Sequence, residues 1–244
     1  MKGILLDIVS HTQTLGFLTM LKVSPADDGT VIESIAEDRS VILKAKTHSV
    51  VEEFGEVFGM PDLQKLQYHL KNPMYDKDAK ITVETGVRNN ETVPTHIHFE
   101  NEKGDFHNDY RFMEKKIIEE KLKSVKSKIS SWDIQFAPAE ESILRLKLMA
   151  GTLDPDDKLF QIKTEDGNLN FYFGDLNTHA GKFTFQHDVD GNLKHTWAWP
   201  VDAVQKILAL TGDKTMSITD QGAMMISVDS GMAKYDYILP AQQK

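Results

Sequence analysis

Residues 222–241 read GAMMISVDSGMAKYDYILPA. Two runs of strand-forming residues flank Asp229-Ser230-Gly231, the pattern of a hairpin closed by turn residues. Asp236-Tyr237 follows Gly231 at an interval that recurs earlier, in GDFHNDYRFM, where Gly104 precedes Asp109-Tyr110. A chain that finishes two of its segments in the same frame invites a search for a larger repeat.

Four segments have the apolar spacing of helices. The first is GILLDIVSHTQT, with Ile4, Leu5, Ile8 and Val9 on one face. The second, PDLQKLQYHLK, places Leu63, Leu66 and Leu70 together behind Pro61. The third, PAEESILRLKLMAG, opens on Pro138 and two acids and closes on Gly151; the fourth, PVDAVQKILALTG, opens on Pro200 and closes on Gly212. Most of what remains reads as short strands: GFLTMLKV, SVILKAK, AKITVET, THIHFE, LFQIKT, LNFYFG, KFTFQHDV, TMSIT and MMISVD. Asp28-Gly29, Asp166-Gly167 and Asp190-Gly191 read as hairpin turns between them.

The order is helix, strands, helix, strands, given twice. LQKL at Leu63–Leu66 echoes VQKI at Val204–Ile207, and each follows a strand and a proline, EVFGMP in one half and TWAWP in the other. The first half carries an insertion around RNNETVPT. Between the halves lies EKKIIEEKLKSVKSK, a lysine- and glutamate-rich stretch that reads as a charged, partly helical linker. The expected organisation is an N-terminal domain over 1–113, a connector over 114–128 and a C-terminal domain over 129–244.

Composition narrows the function. The 244 residues are 40% hydrophobic and 27% charged, ordinary for a soluble globular protein, and lack cysteine, which excludes disulfides, thiolate catalysis and cysteine-ligated zinc. The start lacks a signal-cleavage pattern and no apolar run approaches a bilayer span, so a cytoplasmic protein with no membrane partner is expected. The net charge of −9 argues against a general nucleic-acid binder, but the cations are not evenly spread. Residues 1–22, 61–73, 138–152 and 199–212, which contain the helical segments, hold seven lysines and arginines against five acids, and four of those acids sit in first turns, where the helix dipole favours them. An acidic body thus carries comparatively cationic helices, although Arg145 and Lys147, two positions apart, do not share one face.

Paired two-helix domains rich in strands, a connector and the ending YDYILPA resemble the DNA sliding clamps, in particular phage clamps of the T-even type, with overtones of the archaeal and eukaryotic PCNA-like clamps. The resemblance covers nearly the whole chain and is carried by PAEESILRLKLMAG, WPVDAVQKILALTG and the terminal hairpin. It implies an α+β clamp fold: two similar domains, each with two helices on curved antiparallel sheet, three subunits closing a ring. It implies a non-catalytic processivity factor that encircles duplex DNA without reading sequence, tethers a polymerase, and is placed on DNA by a clamp loader, with no cofactor. By the same resemblance Lys65, His69, Lys71, Arg145, Lys147 and Lys206 would face DNA. Ile118, Leu122, Leu239 and Pro240 would form a pocket for partner peptides. Strands 106–113 and 181–189 would pair between subunits of a homotrimer, with Tyr110, Phe112, Phe183 and Phe185 as packing residues.

Two other classes compete. In THIHFE, His96 and His98 alternate, so a strand would point both to one face, with Glu100 continuing it, as in a metal-dependent enzyme. No HExxH or second ligand cluster accompanies them, and no metal site or nucleophile–base pair is expected. DVDGN lacks the spacing of a calcium loop and TGDKT that of a phosphate loop. The remaining alternative is a β-rich virion or scaffold protein that oligomerises without DNA, for which cationic helices would serve no purpose.

Overall fold

A computed structural model of the protein describes residues 1–88, 90–123, 129–153, 158–174 and 180–242. The chain divides into two compact units, Met1–Val125 with Ser230–Tyr235, and Lys126–Asp229 with Asp236–Lys244. Positions 124–128 of the expected connector lie outside the described residues.

The first unit contains helix α1 (Lys2–Ser10), strands β1 (Leu21–Ala26), β2 (Gly29–Ile35), β3 (Ile42–Thr47) and β4 (Phe58–Met60), and helix α2 (Leu63–Lys71). Strands β5 (Lys80–Arg88), β6 (Glu91–Glu100) and β7 (His107–Arg111) and helix α3 (Lys115–Lys121) follow. The second unit contains β8 (Ile134–Phe136), α4 (Glu140–Ala150), β9 (Leu159–Glu165), β10 (Asn168–Phe173), β11 (Gly181–Gln186), β12 (Trp197–Pro200), α5 (Val201–Leu208), β13 (Asp213–Thr219) and β14 (Ala223–Asp229). Strand β15 (Ala233–Pro240) begins in the first unit and ends in the second. Each unit therefore has two helices against antiparallel sheet, and the first carries α3 in addition.

In the first unit, strands run in the order β4-β1-β2-β3, and β5-β6-β7 form a separate sheet. Helices α1 and α2 pack together because each buries one stripe: Leu5, Ile8 and Val9 on α1, and Leu63, Leu66 and Leu70 on α2. Complete burial of such a side chain contributes about 1.5–3 kcal/mol, so a six-residue seam outweighs the modest helix propensity of either segment. Helix α3 lies on β4, where Gly59 exchanges backbone hydrogen bonds with Met113 and leaves room for Ile118. A Cβ at Gly59 would come within 2.9 Å of the Ile118 side chain.

The turn that opened the sequence reading is tied to α1. The Ser230 hydroxyl donates to Asp7 Oδ2 at 2.9 Å, and the Tyr235 hydroxyl donates to the same oxygen at 2.8 Å. His11 stacks on Tyr235 with ring centres 4.5 Å apart. Asp7, read only as a polar interruption of an apolar start, is thus the acceptor that fixes Ser230–Tyr235 on the first helix.

In the second unit, one sheet runs β11-β10-β9-β12 and the strands of the other run β15-β14-β13-β8. The first is filled by phenylalanines: Phe160, Phe171 and Phe185 are buried, and the rings of Phe171 and Phe185 stack at 4.2 Å. Helix α5 buries Val201, Ala203, Val204, Ile207 and Leu208 and packs against α4. Trp199 is fully buried, and its Nε1–H donates to the carbonyl of Leu239 at 3.0 Å, which satisfies the indole in the core. Gly212 takes φ +125, and a Cβ there would come within 2.3 Å of the Asp229 carbonyl, so the helix exit requires glycine.

Two turn readings diverge. Asp166-Gly167 closes a two-residue hairpin, with Asn168 opposite Glu165. Asp190-Gly191 does not close a hairpin, because β12 pairs with β9 rather than with β11. The stretch read as an insertion, RNNETVPT, belongs largely to the paired strands β5 and β6, with Val87 opposite Thr92 and Arg88 opposite Glu91.

Candidate nucleic-acid interface

Helix α2 buries its leucines and exposes Gln64, Lys65, Tyr68 and Lys71 on the remaining surface. Lys65 reaches back to Asp62 at 2.8 Å. On α4 the exposed residues include Glu141, Leu144, Arg145, Lys147 and Leu148, and the Arg145 guanidinium pairs with Glu141 one turn earlier. On α5, Lys206 pairs with Asp202 at 2.8 Å. Three of the cations assigned to DNA thus share one device, a long basic side chain resting on an acid at the N-terminal end of its own helix, the N-cap Asp62 on α2 and first-turn Glu141 and Asp202 on α4 and α5. Such exposed pairs contribute about 0.3–0.5 kcal/mol each, little enough for a phosphate to displace the acid.

His69 departs from this set. Its ring stacks on Phe99 at 5.2 Å between centres and sits 6.4 Å from Tyr75, and Nδ1 is buried without a hydrogen-bond partner. Burial holds its pKa below the ordinary histidine value, so the neutral ring is favoured. The expectation of a DNA-facing cation at His69 is corrected: the residue packs on the sheet.

Strands β7 and β11 lie at the edges of their sheets. The aromatic residues expected to pack across a subunit boundary are mostly committed inside their own unit. Tyr110 is buried, donates its hydroxyl to the carbonyl of Pro61, and has its phenol pushed upward chiefly by burial. Phe112 packs on Phe58 at 4.2 Å, and Phe185 belongs to the phenylalanine stack. Phe183 is half-buried. The exposed apolar groups near β11 come instead from α4, which is held along the strand by Ser142 Oγ donating to the Phe185 carbonyl at 2.6 Å. On that helix Leu144 and Leu148 are 54% and 64% exposed.

The four residues expected to form a peptide pocket are divided between the units. Ile118 and Leu122 are buried in the first, and Leu239 is fully buried in the second, its carbonyl taken by Trp199. Pro240 alone is exposed. These side chains serve their own cores. Beside α3, within the first unit, lies a cleft of about 470 Å³ whose walls include Val57, Arg88, Val93, Pro94, Met113 and Lys116. Arg88 is anchored there to Glu114 at 2.9 Å.

No protein-family model matches the sequence. No curated protein sequence matches it either. Solved structures do match in fold. PCNA of A. fulgidus, in a structure with the C-terminal region of FEN-1, superposes with a TM-score of 0.70 at 10% identity, over 100% of this chain and 96% of that one. PCNA of Entamoeba histolytica gives 0.67 at 11% identity over 97% and 94%, and that of Thermococcus kodakaraensis 0.66 at 12% over 98% and 97%. The fold is that of the sliding clamps.

Within the clamp fold, the sequence reading overlooked Tyr68, Leu144 and Leu148. Tyr68 is 72% exposed and lies between Lys65 and Lys71 at helical spacing, so its ring belongs to the same surface as the two cations. The signal for the leucines was present in ILRLKLM, which has more apolar positions than one buried stripe can use. Among the described residues no helix is long and apolar enough to cross a membrane. Also among the described residues, one histidine–carboxylate group could hold a metal ion: His96, His98 and Asp109 on the three-stranded sheet.

Proposed function

We propose that this protein is a non-catalytic sliding clamp, which closes around duplex DNA as a homotrimer and tethers a replicative polymerase. The observation that carries the reading is the match to clamp structures over the full length of the chain, with both helix pairs in place. The chemistry agrees. Lys65, Lys71, Arg145, Lys147 and Lys206 offer long, solvated cations suited to phosphates, contacts that carry no sequence information. Retention by ring closure permits weak contacts, and the net charge of −9 disfavours DNA on the remaining surface.

Closure would use the edges of β7 and β11 from neighbouring subunits, a head-to-tail contact that must close or grow indefinitely. Leu144 and Leu148 supply the apolar part of that contact. The cleft beside α3 is the place for a peptide from polymerase or loader, in place of the buried residues named from sequence. The T-even phage type, and with it action in the host cytoplasm, follows from the sequence resemblance alone.

The test is primer extension on a long template, with the cognate polymerase and loader, under single-encounter conditions. The protein should lengthen the products. Product length that does not change on its addition sinks the reading, whatever the fold.

A further inference from the structure

One face of the β5-β6-β7 sheet carries a half-buried cluster that DNA tethering does not use. His96 and His98 alternate on β6 and so share a face, and the strand register sets Asp109 of β7 directly opposite His98. His98 Nδ1 is 2.8 Å from Asp109 Oδ1, and His96 Nε2 is 3.6 Å from the same oxygen. The other carboxylate oxygen, Oδ2, faces the Arg111 guanidinium at 3.4 Å.

The second nitrogen of each ring is already engaged. The Thr95 hydroxyl donates its single proton to the Glu84 carbonyl at 3.0 Å, and His96 Nδ1 lies 2.9 Å from the same hydroxyl oxygen. The ring must therefore be the donor, which places the proton of neutral His96 on Nδ1 and a lone pair on Nε2, toward Asp109. His98 Nε2 lies 3.3 Å from Glu100 Oε2, a partner that holds a proton on that nitrogen and leaves Nδ1 to Asp109. Two ring nitrogens and a carboxylate oxygen thus converge, each backed by a second group. Glu100, the third ligand in the competing metal-enzyme reading of the sequence, is one of those backing groups. In the metal-free protein the 2.8 Å contact of His98 Nδ1 with Asp109 Oδ1 is a hydrogen bond, and a divalent cation would take the place of its proton among the three atoms.

We infer that His96 Nε2, His98 Nδ1 and Asp109 Oδ1 form a binding site for a divalent metal ion of the zinc class. Two imidazoles and one carboxylate select zinc, cobalt or nickel over calcium or magnesium, which prefer oxygen. The ligand atoms lie within 4.8 Å of one another, so side-chain rotations suffice to bring them to the roughly 2.0–2.2 Å bonds of zinc. The metal would join β6 to the edge strand β7. The inference stands on these residues and is independent of the clamp reading.

The experiment uses the tag-free full chain, titrated with zinc chloride by calorimetry in the presence of a competing chelator. One zinc ion per chain is expected. His96→Ala, His98→Ala and Asp109→Asn should each weaken binding by at least about tenfold, and Thr95→Val, a positioning change, by a smaller factor. Arg111→Ala should strengthen it by removing a competing cation. His187→Ala and His195→Ala, elsewhere in the chain, should leave affinity unchanged. Cobalt chloride should give the visible absorption of a low-coordinate site, and this band should be lost in the His96→Ala/His98→Ala double variant. Circular dichroism checks that each variant is folded, as half-buried or exposed positions outside the core permit. Absence of saturable zinc binding by the unaltered chain overturns the inference, and so does equal affinity in the folded double variant.

Discussion

His69 shows what a single residue adds to a pattern. On α2 it lies at the flank of the leucine stripe, a position from which a side chain can turn either to solvent or to the core. Helical spacing cannot decide between them. Phe99, distant in sequence, decides by offering an aromatic face. Because burial favours the neutral ring, the folded-state pKa lies below the unfolded value of about 6.5. Between those two values the unfolded chain binds more protons, so stability falls as the pH drops below about 6.5 and levels off beneath the folded value. His69→Phe should remove this contribution and reduce the loss of stability between about pH 7.5 and about pH 5.5, read from urea unfolding midpoints. An unchanged loss would show that the packed ring is not responsible. Asp7 was opaque for the same reason, since its partners Ser230 and Tyr235 lie at the far end of the chain.

Elements were legible where the pattern is local. The four helices follow from apolar spacing, and the Asp166-Gly167 hairpin from two residues between strands that pair with each other. Asp190-Gly191 misled because a turn dipeptide says nothing of which strands it joins. The continuation of β6 through Pro94 was hidden by the proline itself, which usually ends a strand. It is tolerated opposite Thr85, where the ladder shifts register, and before β7 begins its pairing at His96. The charge device on the helices also belongs to this scale. If Asp62, Glu141 and Asp202 hold their cations in the free protein, then Asp62→Asn, Glu141→Gln and Asp202→Asn together should release Lys65, Arg145 and Lys206 to phosphate. Affinity for duplex DNA should rise several-fold, equally for unrelated sequences and with a steeper dependence on salt. Alanine at Lys65, Arg145, Lys147 and Lys206 should do the reverse. A sequence-selective response of either variant would contradict a phosphate-only contact.

At the scale of the molecule, the repeat was visible in the order of elements, but the residues free to form the proposed contact between subunits were not. Edge strands can be named only once pairing is known, and Tyr110, Phe112 and Phe185 looked available because burial cannot be read from alternation alone. The exposed apolar side chains on the helix beside β11 are Leu144 and Leu148. Leu144→Glu with Leu148→Glu should leave the helical content intact, since both side chains are exposed, and should shift sedimentation from trimer to monomer. A variant that stays trimeric would place the contact elsewhere.

The passage of β15 from one unit to the other bears on how the chain is made. Translation delivers about 5–20 residues per second, so roughly 10–45 seconds separate the emergence of α1 from that of Ser230–Tyr235. Throughout that interval Asp7 lacks its two hydroxyl partners, and the first unit, though its helices and most of its strands exist, lacks its closing segment. Contacts of such long sequence separation are slow to form because the loop between them must first be closed. Completion of the N-terminal half is therefore coupled to synthesis of the C-terminal half. A nascent chain released before Ser230 would carry an unfinished first unit.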